Sequence, residues 1–595
     1  MIPAVGAEVL GDDATRFCVW APYSDQVHLR RADDGTTEVL ERLGAGYHGA
    51  TVGGCPPGSR YRYVLADGRE LADPASRSQP DGVHGPSAVV DLGAHRWSDT
   101  GYRPRPLADH VICELHLGTF SVGGTGDSAI AELDQLVEVG ISAVEVMPVA
   151  QFPGRRNWGY DGVFPYAVQD SYGGPAGLQR FVDACHQRQL AVILDVVYNH
   201  LGPEGNVLAA YGPYFTDRYQ TPWGPAVNFD GPDSDQVRDY FARNARQWFA
   251  DFHVDALRLD AVHEFMDRTA TPFLTELSVR AAAWSDQLGR ACHLIAESAD
   301  NNPRVITPRV AGGLGLDAQW NDDFHHALHV TLTGERSGYY IDYGGAYELA
   351  RAMDAGFVYQ GEHSRFRGRR HGAPSGALAP ERFVLFAQNH DQIGNRPRGD
   401  RLATLVSPAQ ARMAAALLLL APGIPMLFMG EEYGEIAPFP YFIDHSDPAL
   451  VQTVREGRAR EFAEQDTPLD AAAEATFVAA RLDRTLRHQG NHAALWMLHR
   501  DLIALRRSTP ALQRSPREAV RAWTGTQVLT LVRSHEAGPV AVLFNLSPRE
   551  AEGTLPAGTT WAELLDPAAP AATPEGPVTL GPWEFRVYLG AGALT

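Results

Sequence analysis

Cysteine is scarce in this 595-residue chain. Cys18, Cys55, Cys113, Cys185 and Cys292 are scattered, odd in number and never spaced as Cys-x-x-Cys. That pattern argues against a disulfide framework or a zinc knuckle and for a reducing cytoplasm. Positive charge is also in deficit: 51 lysines and arginines face 72 acids, a net charge of −21. Such a balance opposes unspecific binding to nucleic acid or to an anionic membrane, and does not penalise a neutral substrate. Uninterrupted apolar runs of membrane length are missing. The longest stretch, "MAAALLLLAPGIPMLFMG", is broken by Pro422, Gly423 and Pro425 and reads as helix, turn and strand. The opening "MIPAVGAEVLGDDATRF" has no basic start and no long apolar run, so no secretory signal is expected there. There is no internal repeat.

What is present is a change of rhythm along the chain. Residues 1–100 carry short runs such as "RFCVWAP", "QVHLRRA", "RYRYVLA" and "SAVVDL" between Gly, Pro and Asp clusters, which suits a small β-sandwich. "RWSDTGYRPRPLADH" reads as a linker. Over 101–514, apolar strand-like runs alternate with amphipathic helical stretches such as "AIAELDQLVEVG", "LQRFVDACHQRQL" and "QVRDYFARNARQWFADF". The strand candidates are "VICELHLG", "AVEVMPVA", "AVILDVV", "ALRLDAV", "HLIAES", "DAQWNDD", "FVLFAQNHD" and "IPMLFMGEE". Alternating β and α with apolar strands predicts a parallel sheet, and eight units predict a closed (β/α)8 TIM barrel of the α/β class. The chain is long for that fold, and the excess falls in βα loops at 151–174, 198–232 and 431–475. Residues 515–595 return to strands, "VLTLVR", "PVAVLFNL" and "EFRVYLG", with "PAAPAATPEGP" as a loop; a second β-sandwich is expected.

Several barrel strands end in acid or amide groups. Asp195, Asn199 and His200 close the third; Arg258, Asp260 and His263 the fourth; Glu297 the fifth; Asn389, His390 and Asp391 the seventh. A single Asp at a strand end commonly caps the next helix. The group as a whole fits that reading badly, because barrel active sites gather at the carboxyl ends of the strands. Arg258 and Asp260 also share one face of a strand that is otherwise apolar. A buried carboxylate needs a cation, and Arg258 can keep Asp260 ionised at neutral pH. Glu297 has no basic neighbour in its strand, and apolar surroundings can keep its proton on. Two carboxyl groups in opposite protonation states are what glycosidic cleavage needs, one attacking the anomeric carbon and one protonating the leaving oxygen. A separation of about 5–5.5 Å gives retention through a covalent intermediate.

"DVVYNH", "LRLDAVH", "AES" and "QNHD", in this order and on these strands, closely resemble the four signature regions of the α-amylase family of glycoside hydrolases. The resemblance implies Asp260 as nucleophile, Glu297 as acid/base, and Asp391 as the group that binds sugar hydroxyls and stabilises the distorted ring. It implies hydrogen bonds from His200 and His390 to the sugar, support of Arg258 by Asp195, and, through "NWGYDG", an aromatic platform in Tyr160. His263 and Asn389 join the substrate-binding candidates. No cofactor and no metal is expected: "WNDDFHHALHV" offers His325, His326 and His329 at helical spacing, but Asp323 there reads as a helix cap. A loop equivalent to the calcium-binding one of some α-amylases has no clear ligand set.

The segments "LADPASRSQPDGVHGPS", "ELHLGTFS" and "MGEEYGEIAPFPYFIDHSDPALVQTVREGRAREF" look like the trehalose-releasing branch of that family. This implies hydrolysis of the α-1,4 bond joining a maltooligosyl chain to a terminal trehalose, with maltooligosyltrehalose and maltooligosaccharide as the partners that bind. A branching enzyme of the same family is the nearest alternative. Trp223, Trp320, Asp322, Phe439 and Tyr441 are candidates for the leaving side, where aromatics could stack on sugar faces. The basic run "GEHSRFRGRRHG" is expected as a solvated loop at the barrel rim.

Overall fold

Eight short apolar runs close on one another. The computed structural model describes residues 4–11, 13–463, 466–525, 527–564, 571–572 and 576–591. In it, β1 (Ile112–Leu115), β2 (Ala143–Val146), β3 (Ala191–Val196), β4 (Ala256–Leu259), β5 (His293–Ala296), β6 (Ala318–Trp320), β7 (Phe383–Phe386) and β8 (Ile424–Phe428) form a closed barrel. Each strand pairs in parallel with the next, and β8 pairs with β1. These are the eight expected strands. Their runs are mostly apolar because helices cover the outer face while side chains fill the interior.

The interior is layered by the period of two. Ile112, Ala143, Ile193, Ala256 and Ile295 belong to one apolar cluster inside the barrel, with Trp320, Phe386 and Met426. Two residues further along the same five strands, on the same face, come Glu114, Glu145, Asp195, Arg258 and Glu297. The barrel therefore changes from carbon to ionisable groups within one layer, at its carboxyl end.

Antiparallel sheets precede and follow the barrel. Strands from Gly6–Val9 to Ser87–Ala88 make an eight-stranded sheet, its two halves joined through Thr37–Gly44. The halves meet where Phe17 packs edge-on to Tyr61, ring centroids 4.9 Å apart. The strands Thr37–Gly44 and Tyr47–Gly53 escaped the sequence reading. Most of Thr37–Gly44 is exposed, so it carries no alternation of polarity to read. The sheet after the barrel contains Val528–Arg533, Val540–Asn545 and Phe585–Gly590; the loop expected at "PAAPAATPEGP" falls largely outside the described residues. Two buried arginines, Arg506 on the last barrel helix and Arg533 in this sheet, meet at one helix end of the barrel. Arg506 donates to the carbonyls of Leu419, Ala421 and Gly423 at 2.8, 2.7 and 2.5 Å, and Arg533 to Leu420 and Ala421. Both thereby satisfy the free carbonyls at the end of the helix Pro408–Leu420, where a cation also complements the helix dipole.

The linker crosses the other end of the barrel. Asp99 Oδ2 receives His253 Nδ1 at 2.7 Å, His186 Nδ1 at 3.1 Å and Arg290 Nη2 at 3.1 Å. Two local expectations change. "AIAELDQLVEVG" is not one helix but the end of Gly126–Ile130 followed by Leu133–Val139. The long final loop contains a helix, Pro448–Glu461, started by Asp447 and Pro448 in the usual capping order. Among the described residues no helix is long and apolar enough to cross a membrane.

Candidate active site

Arg258 organises the ionisable layer. Its Nη1 donates to Asp260 Oδ1 at 2.7 Å and to Asp195 Oδ2 at 2.8 Å, and its Nη2 lies 3.7 Å from Glu297 Oε2. The guanidinium is fully buried, with its carbon 4.1 Å from the ring centroid of Trp320. Asp260 follows β4 directly, and Ala261 after it is left-handed, φ 39° and ψ 54°. That is an uncommon conformation for a residue with a Cβ, and such backbone strain concentrates at functional sites. It aims the Ala261 amide at Glu297 Oε2, 2.6 Å away, while the Val262 amide donates to the Glu297 carbonyl at 2.9 Å. The turn after Asp260 is thus stitched to Glu297 twice.

Burial raises the Glu297 carboxyl above the usual range; Arg258 opposes this and Asp260 adds to it. Glu297 does have a basic neighbour, reaching it from β4 rather than along its own strand, and desolvation still outweighs it. Oε2 accepts the Ala261 N–H, which leaves Oε1 as the oxygen without that contact. Burial pushes the Asp195 carboxyl up to about 7 against the pull of Arg258.

Tyr160 lies in the loop after β2. Its hydroxyl donates to Asp195 Oδ2 at 2.7 Å and is 2.8 Å from His390 Nε2, and its ring stacks on that imidazole, centroids 5.2 Å apart. The preceding Gly159 has φ 108°, and a Cβ there would sit 2.2 Å from the Pro148 carbonyl oxygen; only glycine fits the turn that presents Tyr160. Asn389, His390 and Asp391 open the short helix His390–Gly394, with Asn389 as its cap, accepting from the amides of Asp391 and Gln392. Asn389 is buried in that task, which makes it a support for Asp391 rather than an open sugar contact. The Asp391 side chain is 44% exposed, against 11% for Asp260 and 14% for Glu297.

His200 is buried, with Nε2 3.0 Å from the Tyr160 carbonyl oxygen, and burial lowers its pKa. Trp223, 50% exposed, stacks on it at 4.4 Å. His263 sits beside Glu264, 3.9 Å away. Asp322 is partly exposed at the start of the helix Asp322–Thr333, and burial together with Glu297 and Asp391 pushes its carboxyl far up. Two leaving-side candidates are corrected. Trp320 is 1% exposed beneath Arg258, and Phe439 is fully buried against Trp158. Neither ring face is open to a sugar, because both fill apolar space under polar groups. Tyr441 is partly buried edge-on to Trp158. The basic run is not an irregular loop but the hairpin Gln360–Ser364 with Arg369–Gly372, and Arg367 between them donates to the Ala299 carbonyl, two residues past Glu297.

The three helix histidines have ordinary partners. His325 bonds the Ala387 carbonyl and Tyr340, His326 bonds Tyr343, and His329 bonds Glu335.

The sequence reading missed two groups. Glu114 and Glu145 face each other across the β1–β2 register, both 1% exposed. Their signal was the one that exposed Arg258, a charge inside an apolar strand. The second group is a junction at Glu204, in the loop after β3. It receives His84 at 3.1 Å, His445 at 3.1 Å and the Ser446 amide at 3.0 Å. Hydrogen bonds from Ser446 and His84 overcome burial and hold Glu204 down to about 2.

The "Alpha amylase, catalytic domain" family model matches residues 78–220. A malto-oligosyltrehalose trehalohydrolase of Saccharolobus solfataricus is 48% identical over 459 residues, covering 77% of this chain and 80% of its own. One of Arthrobacter ramosus is 45% identical over 540 residues, covering 90% and 93%. A branching enzyme of Bacillus caldolyticus is more distant, 29% identical over 72% of this chain and 66% of its own. Among solved structures, a Salmonella typhimurium chain assigned to the alpha amylases superposes with a TM-score of 0.90 at 38% identity, covering 99% of this chain and 100% of that one.

Proposed function

From the premise that this chain belongs to the malto-oligosyltrehalose trehalohydrolase family, we propose that its barrel-end acids hydrolyse the α-1,4 bond next to the terminal trehalose of maltooligosyltrehalose, releasing trehalose and a shortened maltooligosaccharide. The distant branching enzyme does not favour the alternative.

In this reading Asp260 attacks the anomeric carbon of the last maltooligosyl glucose. Glu297 gives its proton to the departing trehalose oxygen, leaving a glycosyl ester on Asp260. Water then attacks the same carbon, with Glu297 now taking the proton, so the anomeric configuration is retained. Arg258 keeps Asp260 anionic before attack. Asp391 holds the sugar hydroxyls and supports ring distortion, Tyr160 supplies the platform, and His200 and His390 brace that platform from below, His200 through the Tyr160 carbonyl and His390 through its hydroxyl. Trp223 and Asp322 line the leaving side. The observation that carries the reading is the pairing of Asp260 and Glu297 through one guanidinium, with Glu297 hydrogen-bonded to the residue after Asp260. The five free, buried thiols suit a cytoplasmic setting.

The test is incubation with maltooligosyltrehalose, followed by chromatography of the products. Free trehalose is expected; new α-1,6 branches instead would support a transferase. A 2-fluoro glycosyl fluoride should accumulate as an ester on Asp260, read by peptide mass spectrometry, and an adduct elsewhere would overturn the nucleophile.

A further inference from the structure

Hydrogen-bond direction determines the charge of His390. Tyr160 and Arg258 both bring a donor to one oxygen, Asp195 Oδ2, at 2.7 and 2.8 Å. As a carboxylate beside the Arg258 cation, Asp195 accepts at Oδ2 from both donors. The Tyr160 proton must therefore lie toward Asp195, and the Tyr160 oxygen is left as an acceptor for His390 Nε2, 2.8 Å away. Nε2 carries hydrogen. At the other end of the ring, His390 Nδ1 meets Glu114 Oε1, and the His390 amide donates to Glu114 Oε2 at 3.1 Å. A carboxylate offers only acceptors here, so Nδ1 also carries hydrogen.

We infer that Glu114 and the Tyr160–Asp195 pair together hold His390 as an imidazolium, and that Glu114 is a positioning residue for the reaction proposed above. It acts through His390, whose charged ring holds the Tyr160 hydroxyl and faces Asp391 Oδ1 at 3.5 Å. The site then contains two fixed cations, Arg258 and His390, among its acids.

The surroundings agree. His390 is 1% exposed. Facing it are Glu114 and His116 from β1 and its end, Glu145 from β2, Tyr160 with the Trp158 ring 5.2 Å away, Asp195, Arg258, the Trp320 ring at 6.1 Å and Asp391. Burial alone would discharge the ring, but Glu114 and Asp391 outweigh it and raise His390 to about 9. Burial, with Glu114 beside it, raises the Glu145 carboxyl far above the usual range, and burial lowers His116 to about 4. Neither competes for the charge.

The test begins with the wild-type protein carrying 15N-labelled histidine, its His390 signals assigned by their loss in His390→Gln. Both ring nitrogens should show the imidazolium signature at pH 8; a neutral tautomer there overturns the inference. Glu114→Gln should bring the loss of charge about 1–3 pH units lower, while Glu114→Asp should restore much of it. In kinetics, the ratio of wild-type to Glu114→Gln kcat cancels the titration of Glu297. It should rise about tenfold between pH 6 and 8 with KM nearly unchanged. A pH-independent ratio, or an unshifted titration, would mean that Glu114 only fills space. The spectra need no turnover, so they still report if trehalose is not the product.

Discussion

Glu297 Oε2 accepts a 2.6 Å hydrogen bond from the amide of Ala261, the left-handed residue directly after Asp260. One carboxyl is thereby fixed relative to the turn that carries the other. The left-handed backbone costs an alanine about 1–2 kcal/mol. Ala261→Gly should therefore raise the midpoint of thermal unfolding slightly while kcat falls, because the turn gains freedom. If calorimetry finds a lower midpoint, the conformation is not strained.

Glu297→Gln removes the transferable proton and keeps the shape. Substrate should still bind, with kcat down by about 10²–10⁴. The sign of the pH effect follows from the raised pKa: Glu297 must be protonated to act, so the raised value extends activity upward, and activity falls as pH rises through it. An aryl glycoside that needs no protonation should flatten that alkaline limb. Retention of the limb with such a substrate would assign it elsewhere.

Arg258→Lys keeps the charge but loses the planar fork that serves Asp195 and Asp260 together and lies on Trp320. Leaving a buried carboxylate short of its partner costs about 3–5 kcal/mol. Lower stability and an at least hundredfold loss of kcat are expected, read by denaturant melts and steady-state rates. Near-normal turnover would show that a point charge suffices.

The Glu204 junction brings together two of the segments that narrowed the resemblance, through His84 before the barrel and His445 and Ser446 after β8. Glu204→Gln should weaken it by about 1–3 kcal/mol and speed hydrogen exchange in both partner segments. Since Glu204 is held down to about 2, its stabilisation is present above its unfolded pKa of about 4.3 and lost as pH falls toward 2. Exchange rates unchanged by the substitution would remove Glu204 from this role.

The amino-acid sequence by itself determined the eight barrel strands and the side each residue takes, because a period of two is local. It marked Arg258, Asp260 and Glu297 for the same reason: a charge in an apolar strand stands out. Glu114 and Glu145 carried the same mark, but their meaning depends on closure of β8 onto β1 and on a loop that returns Tyr160 over β3. Only the tertiary structure decided that Trp320 lies under Arg258, that Asn389 caps a helix, and that Glu114 grips His390. Those are contacts between residues far apart in the chain, and which of them form is set by barrel register and loop return, quantities that no local pattern encodes.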